Sequence, residues 1–188
     1  MDALLLALLG CLLGEIGDKS QLLILALATR YDRNGAVIAG IVTAAFANAL
    51  ISAFAGAWIG PMLGADARLL FLALSVLFLG AGLLWRVKMP DTLTGWPTGA
   101  FLTTALGLFI LGFGDDPQFL ILGIATRTGD PALAAIGGAI GVIAALVPVV
   151  LLRDSLLASI PLRLIRRVGA AILLLTGGIM AITALGLL

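Results

Sequence analysis

The sequence predicts an all-α integral membrane protein of six transmembrane helices, arranged as two inverted three-helix repeats. This prediction depends on an apolar composition, six long apolar runs and an internal repeat. Hydrophobic residues make up 62% of the 188 residues and charged residues only 11%, and the mean hydropathy is +1.21. In a soluble domain about a quarter of the residues are charged, so lipid must surround most of this chain.

Each apolar run is close to the roughly 20 residues that a helix needs to cross the hydrocarbon core. The six runs are Ala3–Thr29, Gly35–Met62, Leu69–Trp85, Gly99–Thr126, Pro131–Leu152 and Val168–Leu188. The first and fourth are long enough to be tilted or broken. The chain starts with Met1 and Asp2, without the basic residues of a signal peptide, so we expect the first run to be retained.

Basic residues in the loops predict the orientation. Loops one, three and five share a side and hold eight of them: Arg30, Arg33, Arg86, Lys88, Arg153, Arg163, Arg166 and Arg167. The opposite side holds two, Arg68 and Arg127. We therefore expect cytoplasmic odd loops, both termini outside, and a multi-pass location in a cell membrane, preferably a bacterial inner membrane. The stretch Ser155–Arg167 mixes apolar and basic residues and is predicted to lie along the cytoplasmic interface.

The internal repeat is visible by direct comparison. Residues 17–30, GDKSQLLILALATR, align with residues 114–127, GDDPQFLILGIATR, and nine of the fourteen positions are identical. The identities include Asp, Gln, Thr and Arg, which chance similarity between Leu-rich helices does not reproduce. We predict one membrane domain with two repeats, 1–97 with its cytoplasmic loop and 98–188. Three helices per repeat imply opposite insertion, which brings the two acidic segments together at the midplane.

Five ionisable residues fall inside the predicted spans: Glu15, Asp18, Lys19, Asp115 and Asp116. A charge at the bilayer centre costs at least ~2.5–3.5 kcal/mol, so several together indicate a function. On a continuous helix Glu15, Asp18 and Gln21 would line one stripe. Lys19 stands four residues after Glu15, the favourable order for an intrahelical ion pair.

Carboxylate and amide oxygens are the ligands that Mn²⁺, Ca²⁺ and Mg²⁺ prefer. The predicted cation ligands are Glu15, Asp18, Gln21, Asp115, Asp116 and Gln118, and the predicted proton carriers are Glu15, Asp18 and Asp115. The chain has no His and one Cys, which argues against a Zn²⁺ or Cu⁺ site and excludes His-dependent catalysis. The predicted supporting residues beside these carboxyls are Gly14, Gly17, Lys19, Ser20, Gly114 and Pro117. Glycine and proline loosen a helix and let backbone carbonyls turn toward an ion. Extra polar candidates in the predicted spans, whose side chains more often make packing hydrogen bonds than bind an ion, are Thr43, Asn48, Ser52, Thr103 and Thr104.

The segment Gly14–Gln21, GEIGDKSQ, resembles the E-x-G-D-[KR]-[ST] signature of the Gdt-type cation/proton exchangers. That family includes transmembrane protein 165 and bacterial manganese exporters. The resemblance covers the whole chain in helix count, repeat and motif placement. It implies exchange of Mn²⁺ or Ca²⁺ for protons at one central site, with Glu15 and Asp18 as ligands and proton carriers and Gln21 as a nearby polar contact.

The second copy departs from that signature. Gly112 stands in the place of the family's Glu, Asp116 in the place of the basic residue, and Pro117 in the place of Ser or Thr. Our hypothesis is that Asp116, re-aimed by a distortion at Pro117, substitutes for the missing Glu.

Two other functions stay open. Gly112-x-Gly114-Asp115 matches the short GxGD signature of intramembrane aspartyl proteases, which would pair Asp115 with Asp18. A passive cation channel would use the same acidic residues without proton coupling. We expect no enzyme activity, no cofactor and, at a net charge of +1, no nucleic-acid partner. The partners are the lipid bilayer, a divalent cation (Mn²⁺ preferred, Ca²⁺ as the alternative) and protons, and the glycine-rich helix faces are compatible with a homodimer.

Overall fold

The computed structural model describes residues 1–153 and 161–187. In these residues the chain forms α-helices and one 3₁₀ turn, Gly60–Met62, and no β-strand occurs among them. The helices are α1 (Asp2–Glu15), α2 (Lys19–Tyr31), α3 (Asn34–Ile59), α4 (Ala65–Leu84), α5 (Ala100–Gly112), α6 (Asp116–Thr128), α7 (Pro131–Leu152) and α8 (Leu162–Ala184).

The helices account for four or five membrane spans. By length and composition α3 with its 3₁₀ turn, α4, α7 and α8 can each cross a membrane, and α5 with α6 makes a fifth span bent by 68°. Large apolar side chains such as Phe54, Trp58 and Phe78 are exposed, as lipid contact requires. The chain is therefore an all-α, multi-pass membrane protein. The predicted sixth crossing would consist of α1 and α2, which have 14 and 13 residues and are each too short to span alone; it stays a prediction.

Two helices begin at least four residues earlier than the apolar runs predicted. Helix α4 starts at Ala65 instead of Leu69, because the extended Gly64 precedes it and the acidic Asp66 suits its first turn. Helix α8 starts at Leu162 instead of Val168. The predicted interfacial stretch Ser155–Arg167 is therefore helical over residues 162–167, and its residues 155–160 lie outside the described part of the chain.

The odd-numbered loops lie beside one another. The Arg153 guanidinium at the end of α7 donates to the Asp32 carboxylate after α2 at 2.7 Å. The Arg30 guanidinium donates to the Leu93 carbonyl after α4, also at 2.7 Å. Loops one, three and five therefore meet at one end of the molecule, as the two crossings between each odd loop and the next require.

Reciprocal contacts relate the two halves. A Cβ at Gly40 of α3 would lie 2.9 Å from the Phe101 carbonyl oxygen of α5. A Cβ at Gly137 of α7 would overlap the Leu4 carbonyl oxygen of α1. Residues 40 and 137 are 97 apart, as are 4 and 101, and this is the offset of the sequence repeat. Each half therefore packs its first helix against the long helix of the other half, which is the pattern of an approximate two-fold axis.

Candidate functional site

Both acidic segments lie at breaks between helices. Helix α1 ends at Glu15 and α2 begins after Asp18, while α5 ends at Gly112 and α6 begins after Asp115. Each break contains a left-handed glycine, Gly17 with φ 71° and Gly114 with φ 76°. The prediction that Glu15, Asp18 and Gln21 share one helical stripe is therefore wrong, since it assumed a continuous helix.

Replacing Gly114 by Ala is expected to destabilise the protein by about 1–2 kcal/mol, the cost of a side chain in the left-handed region. A Cβ at Gly114 would have no neighbour within 4 Å, so only backbone strain acts. The measurement is thermal unfolding of the purified protein in detergent. Gly35→Ala is the matched control, because Gly35 also has open space around it and lies in the first turn of α3. Equal melting temperatures for the two variants would contradict this strain.

A glutamine spans each break in the same way. The Gln21 side-chain oxygen accepts a hydrogen bond from the Gly17 N–H at 2.9 Å, and the Gln118 oxygen accepts one from the Gly114 N–H at 2.8 Å. The Gln21 amide nitrogen also donates to the Ala145 carbonyl at 2.9 Å. Both predicted amide ligands thus hold the breaks in shape with their oxygens.

A small inner cavity of about 40 Å³ lies between the two breaks. Glu15, Ser20, Asn48, Asp115 and Gln118 provide its polar lining, and the rest is mainly apolar. Glu15 is only 6% exposed, and its Oε2 atom has no hydrogen-bond partner. An unpartnered buried carboxylate oxygen is costly in an apolar surrounding, so this oxygen is free to accept a cation, a proton or a water molecule.

A larger open pocket of about 810 Å³ adjoins the breaks, and we call it the vestibule. Asp18, Lys19, Asp115 and Asp116 line it. The basic residues Arg86, Lys88 and Arg166 lie around the same pocket. Since Asp115 lines both the inner cavity and the vestibule, it forms the wall that the two spaces share.

Lys19 pairs across the repeat. Its ammonium lies 3.0 Å from the Asp115 carboxylate. The predicted intrahelical pair with Glu15 is therefore wrong, because the break at Gly17 separates the two residues that a continuous helix would stack. The ion pair ties the first acidic segment to the second.

Arg166 of α8 holds the first break against α4. Its guanidinium donates to the Gly17 carbonyl at 2.9 Å and the Ile16 carbonyl at 3.3 Å. It also donates to the Leu83 carbonyl at 3.1 Å. Carbonyls that the sequence predicted to turn toward an ion are thus engaged by an arginine. Arg166 lies 149 residues after Gly17 in the sequence, so no local sequence pattern indicated this contact.

The predicted ligands divide between the two spaces. Glu15 lines only the inner cavity and Asp18 only the vestibule. Asp116 lies in the vestibule, with its carboxylate against Gly82 of α4. Among residues 1–153 and 161–187, no three Asp, Glu, His or Cys side chains converge as ligands of one ion.

The helix distortion predicted at Pro117 lies at Gly114 instead. Pro117 occupies the first turn of α6, where its missing N–H costs no helix hydrogen bond.

Comparison with known proteins gives two matches. The model of the family "Divalent cation/proton antiporter GDT1" matches residues 3–91 and residues 100–187. A protein of Vibrio cholerae serotype O1 named "Putative manganese exporter" is 32% identical over 180 residues, which cover 93% of this chain and 88% of that protein. No solved structure matches the chain.

Proposed function

The chain belongs to the GDT1 family of divalent cation/proton antiporters, and from this we propose that it exchanges Mn²⁺, in preference to Ca²⁺, for protons. The observation that carries the proposal is the inner cavity. There the unpartnered Oε2 of Glu15 lies in the same small space as Asp115. Two carboxylates balance one divalent cation, and the same oxygens can hold protons when the cation has left. The name of the Vibrio relative supports Mn²⁺ as the cargo.

The cation would reach the inner cavity through the vestibule. Asp18 and Asp116 are the first carboxylates on this route, and Asp115 is the group that both spaces share. Because Lys19 pairs with Asp115 at 3.0 Å, the ammonium must move aside before Asp115 can bind the cation. Gln21 and Gln118 act as positioning residues that keep both breaks open.

The proposed transport needs both sides of the membrane to reach the same carboxylates. We infer that α1 and α2 complete a sixth crossing and that the two repeats are inserted in opposite directions. The reciprocal contacts of Gly40 and Gly137 support this arrangement. With the odd loops in the cytoplasm of a bacterium, both termini lie outside. A homodimer stays a prediction.

The decisive experiment is cation-dependent proton flux in liposomes that contain the purified protein and an internal pH indicator. We expect Mn²⁺ to give the largest pH change and Ca²⁺ a smaller one. Mg²⁺ should give little, since it dehydrates reluctantly, and Zn²⁺ little, since the site lacks His and thiolate ligands. Liposomes without protein are the control. Cation uptake without any pH change would contradict exchange and indicate a passive channel. If the protein instead cleaves a membrane peptide, and this cleavage depends on Asp18 and Asp115, the protein is an intramembrane protease.

A further inference from the structure

The space beside Gly112 is taken by Asn48. Gly112 is the repeat counterpart of Glu15, at the offset of 97 residues. A Cβ at Gly112 would lie 2.9 Å from the Asn48 amide nitrogen. That nitrogen also lies 3.4 Å from the Phe109 carbonyl, to which it donates. The Asn48 side chain, which comes from α3, therefore occupies the place that a longer side chain at position 112 would need.

The other end of the Asn48 amide has no partner. Its oxygen is buried and accepts no hydrogen bond. Asn48 and Glu15 line the same inner cavity, so its wall holds two unpartnered acceptor atoms, one neutral and one ionisable, beside one unpartnered donor, the Gln118 Nε2 atom. Neither acceptor receives a hydrogen bond from this donor, and buried acceptors left in this way are unfavourable unless a positive charge or a group that carries hydrogens lies between them.

A divalent cation fits this arrangement. Glu15 and Asp115 together carry two negative charges, and a carboxamide adds an oxygen ligand without a third charge. A hard cation such as Mn²⁺ accepts carboxylate and amide oxygens alike.

Building on the proposed function, we propose that Asn48 is a ligand of the transported cation and takes the place of the carboxylate that is absent at position 112. The inner cavity then binds the cation through Glu15, Asp115 and the Asn48 oxygen. The competing hypothesis gives this place to Asp116, which lines the vestibule and contacts Gly82. The two hypotheses differ in which substitution weakens binding in the cavity.

The test is equilibrium binding of Mn²⁺ to the purified full chain in detergent. Asn48→Ala is expected to weaken binding at least about tenfold, the lower end of what groups that merely orient metal ligands contribute. Ser52→Ala is the matched control. Ser52 is buried one turn further along α3 and does not line the cavity, so its loss should leave the Kd unchanged. Wild-type affinity in Asn48→Ala would overturn the proposal, as would a loss confined to Asp116→Asn.

A pair of variants tests whether Asn48 replaces a carboxylate at position 112. Gly112→Glu alone should weaken Mn²⁺ binding, because the new side chain collides with Asn48. In Gly112→Glu combined with Asn48→Ala, the glutamate has room and should bind Mn²⁺ more tightly than Asn48→Ala does. If the double variant binds Mn²⁺ no more tightly than Asn48→Ala does, the proposal that Asn48 takes the place of a carboxylate at position 112 is overturned. If Asn48→Ala does not fold, Asn48→Asp keeps the side-chain size and should bind Mn²⁺ more tightly than the wild type; an unchanged Kd would then count against Asn48.

Proton flux of the wild type in liposomes separates this proposal from the function on which it rests. If the wild type shows normal Mn²⁺-driven flux and Asn48→Ala binds Mn²⁺ as the wild type does, only the assignment of Asn48 as a ligand is refuted. If the wild type binds Mn²⁺ but shows no proton flux, only the proposed exchange is refuted.

Discussion

Replacing Glu15 by Gln is expected to abolish Mn²⁺-driven proton flux and to weaken Mn²⁺ binding by about a hundredfold or more. Groups that only orient metal ligands already account for 10–100-fold, and Glu15 would contribute a charged oxygen inside a cavity of about 40 Å³. The amide keeps the size of the side chain but can neither neutralise the cation nor carry a proton. Cation binding and proton transfer are therefore expected to fail together. The measurements are internal pH in liposomes and Mn²⁺ titration in detergent.

Asp2→Asn is the matched control for Glu15→Gln. Asp2 is an exposed carboxylate in the first turn of α1, the same helix that ends at Glu15. Its neutralisation should leave flux and Mn²⁺ binding unchanged. A Glu15→Gln protein that still moves protons at the rate of the control would exclude Glu15 from the site.

Replacing Gly137 by Ala is expected to destabilise the fold by more than about 3 kcal/mol, the upper end of the usual cost of overpacking. The new Cβ would overlap the Leu4 carbonyl oxygen, and it would also lie 2.9 Å from the Leu4 Cα. Both are backbone atoms, which cannot rotate away as a flexible side chain can. Helices α1 and α7 would have to separate along much of their contact. Thermal unfolding of the purified protein measures the effect.

Gly178→Ala is the control for Gly137→Ala. Gly178 lies inside α8, and a Cβ there has no neighbour within 4 Å. Alanine favours a helix over glycine by roughly 0.5–1 kcal/mol, so this variant should be as stable as the wild type or slightly more stable. Equal melting temperatures of the two variants would show that α1 and α7 are not in close contact.

The repeat was the most informative part of the sequence. The shared GD and Q positions predicted two equivalent acidic segments, and both segments lie at helix breaks, which the length of the first and fourth runs had allowed. The pairing of Lys19 was predicted wrongly because helix spacing rules hold only where the helix continues, and residue 17 interrupts it. The direction in which a charged side chain leaves such a break depends on its surroundings, which local sequence does not contain.

Asn48 and Arg166 mark the limit of prediction from sequence. A lone Asn in an apolar helix usually makes packing hydrogen bonds, and only its approach to Gly112 in space distinguishes it. The missing side chain at position 112 was a usable signal, since the sequence repeat marks this position as the counterpart of Glu15. Arg166 was counted as a loop charge, and its contact with Gly17, 149 residues away in sequence, follows only from how α8 packs.

The contact between Lys19 and Asp115 has a kinetic consequence for an exchanger. An ammonium and a divalent metal repel each other, so they compete for this carboxylate. Under the proposed exchange, the lysine would take the position of the cation when it leaves, so Asp115 would keep a positive partner. A positive partner that belongs to the chain would thus favour release of the cation over its tight retention.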